Sequence, residues 1–172
     1  MDKGKEILKA WKIVNKTFEE CMRLSNDFRS LISEIKEGWG NKIYTPSSPA
    51  YFFVKDRYWN CFYNKKEKET ELIILEFLFE PQKLEKNLSL EEPVLICLMC
   101  SIDEELRSKD WWPILTTLEE YIIQNKQNKL NEVLTLENKR NVSNLKYIII
   151  PLVQISCTED IQEKIISPLL EV

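Results

Sequence analysis

One seam of positions runs in steps of four and three from Ile7 through Trp11, Val14, Phe18, Cys21, Ser25, Phe28 and Ile32 to Ile35, and Ser25 is its one strongly polar member. A spacing of this kind averages 3.5 residues, so it predicts a single long helix over residues 5–37. Leu8, Met22 and Leu31 widen the seam into a packing face. Ser25, Asn26 and Asp27 interrupt it with polar side chains, but the apolar phase continues beyond them. Gly38 then supplies a left-handed stop.

A period of two takes over downstream. Residues 71–80 place Ile73, Leu75, Phe77 and Phe79 on one face, and Leu72, Ile74, Glu76, Leu78 and Glu80 on the other, which reads as half wet. Residues 93–102 are apolar on both faces and therefore predict a central strand covered on both sides. The strand-forming residues of 50–55 and 57–64 predict a hairpin turning at Asp56, preceded by a loop over 39–49. Asp110 can cap a helix from Trp111 to about Asn125, with Pro113 in its first turn. Residues 126–144 read either as a helical extension or as a short edge strand. A further strand over 145–155 contains Pro151, which predicts a bulge or a lost ladder bond there. Ser156 and Glu159 have capping-box spacing for a last helix over 160–170.

The expected order is α-β-β-β-β-α-β-α. It describes a single α+β domain spanning 1–172, with a mixed, mostly antiparallel sheet covered by the long N-terminal helix and two further helices. A fifth strand beside 93–102 is expected to run parallel to it after a right-handed helical crossover.

Composition narrows the chemistry. The chain has 172 residues, no histidine, three glycines and a net charge of −4. Histidine-based catalysis and imidazole-ligated zinc are excluded, and no glycine-rich phosphate loop can be written. The acidic balance gives no reason to expect nucleic acid as a partner. No signal-peptide pattern or membrane-length apolar run is present, so a cytoplasmic protein with no membrane partner is expected. The five cysteines read as reduced, buried thiols. Cys97 and Cys100 have the spacing of a metal or redox pair, but residues three apart on a strand face opposite ways. No metal site and no cofactor are expected.

Three constellations remain. The order of elements is shared in outline with the core of restriction-type nucleases, and Glu34, Asp56 and Glu76 are its catalytic candidates. The lysine such a site needs two residues after the acidic strand residue is missing, because Leu78 stands there. Trp59 and Arg57 lie in an aromatic stretch that could stack on a planar ligand, the reading of a small-ligand sensor. Trp11, Trp111 and Trp112 are contact-site candidates. A helix over residues 5–37 would be about 50 Å long. A body of this chain length is roughly 40 Å across. Ile7, Leu8, Trp11 and Val14 would then overrun it, so the helix is expected either to meet a protein partner, most simply in a homodimer, or to fold back over residues 160–170. The reading adopted is a non-enzymatic protein-interaction module. A divergent metal-dependent nuclease and a small-ligand sensor are the alternatives.

Overall fold

A computed structural model describes residues 3–35, 41–44, 57–65, 69–79, 92–103, 118, 120–122, 124–137 and 142–171, with backbone alone for 41–44, 57–59 and 65. Helix α1 (Lys3–Ile35) is continuous over 33 residues. The strands are β1 (Asn41–Tyr44), β2 (Arg57–Lys65), β3 (Glu69–Leu78), β4 (Val94–Asp103), β5 (Leu134–Thr135) and β6 (Val142–Pro151). They form one sheet in the order β1-β2-β3-β4-β6-β5, and every strand pair is antiparallel. The α+β class and the order of elements are those expected from the sequence.

The sheet has a layer on each face. On one side α1 and the C-terminal helix bury Phe28, Ile32, Ile161 and Ile165 against Phe62, Ile73, Leu75, Phe77, Leu95 and Cys97. On the other, helical Leu118 and Ile122 cover Leu72, Ile74, Leu98, Cys100, Leu145 and Tyr147. β4 sits between β3 and β6, as a strand with no polar face must. The second face of β3 is not half wet: Leu72, Ile74, Glu76 and Leu78 are all buried. Glu76 shares that covered face with Ile74 and Leu78.

α1 runs through Ser25 without a break. The Ser25 hydroxyl donates to the Cys21 carbonyl at 2.8 Å, and it accepts the Asn60 side-chain amide at 2.6 Å. Thr17, Ser30 and Ser33 bond back to carbonyls four residues earlier in the same way, so these hydroxyls sit in the helix without an unmet donor. Phe28 then stacks beside Phe62 of β2, centroids 5.6 Å apart. The seam thus has one polar pin among apolar contacts, and that pin fixes α1 on β2.

Five further expectations need correction. β6 runs antiparallel to β4, not parallel. Helical residues 118, 120–122 and 124 lie over the sheet before residues 130–136 run along its edge, with Leu134 opposite Tyr147 and Leu136 N–H donating to the Leu145 carbonyl at 2.9 Å. Two passes cancel the crossover, so the chain re-enters from the end where β4 left. The ambiguous segment is therefore the edge strand, not a helical extension. Second, the loop expected over 39–49 contains β1, paired with residues 61–63 of β2. Third, the strand expected over 145–155 begins earlier and stops at Pro151, opposite Val94, where the chain passes into a 3-10 turn over Leu152–Gln154; no ladder bond to β4 is lost at Pro151, because the next one, from the Leu152 N–H to the Pro93 carbonyl, is made at 2.9 Å. The irregularity lies elsewhere, between Met99 and Ser101, where three β6 steps from Lys146 to Ser143 oppose two. Asn144, at φ 54°, takes the left-handed conformation that this extra residue requires. Fourth, the last helix is capped one residue later than its sequence suggests. Asp160, not Glu159, accepts the Ser156 and Cys157 N–H groups at 2.8 and 3.3 Å. Fifth, that helix is not uniform: Thr158–Ile161 and Ser167–Leu170 flank a π-helical turn, Gln162–Ile166. Pro168 lies just past the wide turn, whose extra residue relieves the clash of its ring with the preceding turn. The strand expected over 50–55, the turn at Asp56 and the helix start at Asp110 lie outside the described residues.

Two measurements check this account. Ser25→Ala removes the acceptor of the buried Asn60 amide and is expected to cost about 1–3 kcal/mol in urea unfolding, with an unchanged m-value. Asp160 is held below its ordinary value of 3.8 by Lys164 first, then by the Ser156 N–H and hydroxyl and by Cys157. Its folded value is depressed, so its stabilisation is complete above the ordinary carboxylate range and is lost as the pH falls below it. The stability gap between wild type and Asp160→Asn should therefore be full at neutral pH and shrink in acid; a gap that grows in acid would refute the assignment.

Candidate functional site

The structure separates the acidic candidates. Glu34 is exposed on α1, on one side of the sheet. Glu76 is buried on the face covered by residues 118–122. Asp56 lies outside the described residues, as do Trp111 and Trp112. Arg57 and Trp59 are placed by backbone alone, in β2 opposite Leu78 and Glu76. Among the described residues, no three Cys, Asp or Glu side chains gather as metal ligands do.

All five cysteines are free. Cys97 faces α1 and Cys100 faces the opposite layer. Burial pushes the Cys97 thiol far up, raises Cys100 to about 12, and with help from Glu20 raises Cys21 to about 12. Cys61 is raised as well, first by burial and then by the neighbouring Cys100. Thiols held protonated in apolar surroundings are poor nucleophiles and poor ligands.

One buried polar network stands out, and it is structural. The Tyr147 hydroxyl accepts the Asn125 amide at 2.6 Å and donates to Asn128 Oδ1 at 2.6 Å. Asn128 in turn donates to the Ile122 carbonyl at 2.8 Å. The network ties the segment around helical Ile122 and Gln124 to β6. Beside it lies a shallow depression of about 250 Å³, lined by Tyr121, Gln124, Asn125, Leu136, Glu137 and Leu145. Its volume falls below the usual range for ligand pockets.

The remaining candidate is the N-terminal half of α1. Residues 3–13 are exposed throughout. Ile7 is 71 % exposed, Leu8 54 %, Trp11 42 % and Ile13 59 %. The alternative in which this half folds down over residues 160–170 is not what the structure has. At 100° per residue, Ile7, Trp11, Val14 and Phe18 fall on one arc, with Leu8 at its edge. Lys5, Lys9, Lys12 and Lys16 fall on the opposite arc. Over residues 3–16 five lysines stand against Glu6 alone, a charge of +4; with −4 for the whole chain, the remainder carries −8. Attention to the apolar seam passed over this segregation, although a window count of charge would have found it.

No family model matches the chain, and no curated protein or solved structure matches it. No helix among the described residues is long and apolar enough to cross a membrane.

Cys157 is the one exposed thiol of the five. Native protein titrated with an aromatic disulfide should release one equivalent quickly and the other four only on unfolding; two or more fast equivalents would contradict the buried thiols.

Proposed function

We propose that this chain is a protein-interaction module, without catalytic chemistry of its own, that works through the N-terminal arm of α1. The observation that carries the reading is the exposed stripe of Ile7, Leu8 and Trp11, continuous in phase with the stripe that is buried from Cys21 to Ile32. The sequence extends the same seam past the end of its own sheet. Covering three such side chains favours contact by about 1.5–3 kcal/mol each before the costs of association. Their spacing, i, i+4 and i+7 with Val14, is that of the anchors by which a helix enters an apolar surface. A cytoplasmic setting belongs to the proposal and is supported by five unpaired cysteines, four of them buried.

The rival readings have less behind them. A nuclease would need Glu34, Asp56 and Glu76 to converge, and Glu34 and Glu76 lie on opposite sides of the sheet. The aromatic stretch on which a sensor would rest lies mostly outside the described residues, and the depression beside Asn125 is on the other layer from α1.

A photo-crosslinking residue at position 8 tests the proposal, with the exposed Ser30 position on the same helix as the control. Irradiated cells should give discrete adducts from position 8, none from position 30, and none from position 8 when Trp11→Glu is added. Matching adducts from both positions, or none from position 8, would count against the arm.

A further inference from the structure

We infer that the arm's occupant is a second copy of this chain, paired antiparallel about a two-fold axis so that each arm fills the notch beside the other's body. The inference rests on the interaction reading above and names its partner.

The direction of the stripe comes first. A 3.5-residue seam drifts by about 20° per heptad on a straight helix. Ile7 and Trp11 are three heptads from Phe28 and Ile32, so the two stripes lie within about 60° of each other around α1. The body therefore stands on the same side of the helix as the exposed stripe. A flat surface, such as a lipid bilayer, would meet the body before it met the stripe. The occupant has to be slender and reach into the angle between arm and body. An arm of residues 3–14, about 18 Å long, has that form.

The seam is self-complementary in the antiparallel sense. An axis passing between Trp11 and Val14 sets Trp11 against Val14 of the other copy and Ile7 against Phe18. These are the alternating layers of an antiparallel helix pair. Phe18 is already partly covered by its own body, at the inner corner of the notch. The positions flanking the layers are Leu8, Ala10, Asn15 and Thr17, none of them charged. Lys5, Lys9, Lys12 and Lys16 lie on the far arc and are not forced together, while Lys3, in line with the seam, comes level with Met22 of the other copy. Each tip, part of a +4 segment, comes alongside a remainder of −8. The rest of the chain offers the arm little else: among the described residues outside it, Val153 is the one large apolar side chain left exposed.

The area sets the strength. Two short arms and the notch walls fall at or below the ordinary 800 Å² or so per partner. The pair should therefore form at tens of micromolar and dissociate on dilution.

Light scattering behind size exclusion is the test. Wild type should weigh twice 20.5 kDa at tens of micromolar and approach 20.5 kDa on dilution. Trp11→Glu should weaken pairing about thirty-fold or more with an unchanged far-ultraviolet spectrum. A wild type monomeric at tens of micromolar, a dimer indifferent to Trp11→Glu, or co-sedimentation of the monomer with phosphatidylcholine–phosphatidylglycerol vesicles would each overturn the second copy. The position-8 crosslink separates the two claims. A monomer that still gives adducts to another protein overturns only the pairing, whereas a monomer with no adducts overturns both.

Discussion

A strand with no polar face cannot lie at an edge or face water, and β4 is such a strand. From Val94 to Ile102 every residue except Met99 is buried. That constraint requires β3 on one side and β6 on the other, and a helical layer above and below. α1 and the C-terminal helix supply one layer; residues 118–122 supply the other. The chain's four buried cysteines follow from the same arrangement, since a small apolar thiol is well suited to the space between a sheet and a covering helix.

What the sequence revealed and what it hid divide along physical lines. Period and length were legible: the continuous seam of α1, the alternation of β3 and the doubly apolar β4 are local patterns, and each became the expected element. Direction was not. Whether β6 ran with or against β4 depended on whether residues 126–144 made one pass along the sheet or two, and Leu130, Val133, Leu134 and Leu136 fit both patterns. Boundaries were not legible either, for reasons of single residues. Pro151 was expected to interrupt a strand and is instead its last residue, at a position where no ladder bond to β4 is lost. Asn144 carried the bulge because it is among the few non-glycine residues that accept positive φ. The exposed stripe was legible as an excess of apolar positions over the length of the body, whereas the opposing lysines were missed.

Inside the layers the polar atoms do the specifying. Apolar contact alone would let a helix with a seam as regular as that of α1 slide by a heptad along the sheet, trading Phe18 for Ser25 and Ser25 for Ile32. The Ser25–Asn60 bond works against that freedom, because any other register gives up this buried hydrogen bond, at a cost of about 0.5–1.5 kcal/mol. Tyr147 plays the equivalent part on the other face, where Asn125 and Asn128 converge on its hydroxyl and hold the returning segment against β6. Both pins join elements far apart in sequence, which is where apolar patterning is least able to choose between neighbours.

Register has a consequence at the free end of α1. Once Ser25 is pinned to Asn60, the distance by which the helix overruns the sheet is no longer adjustable. Sliding α1 inward by one heptad would bring Trp11 toward cover, and the pin forbids it. The overhang is thus a consequence of a buried hydrogen bond and not of a loose terminus. The same rigidity reduces the ordering cost that any occupant of the arm must offset, since the helix is already formed and aimed before contact. A disordered segment of the same composition would have to form its first helical turn, an unfavourable step, during binding itself. Fixing the arm to the core through one polar contact makes a stripe of only a few side chains strong enough to matter.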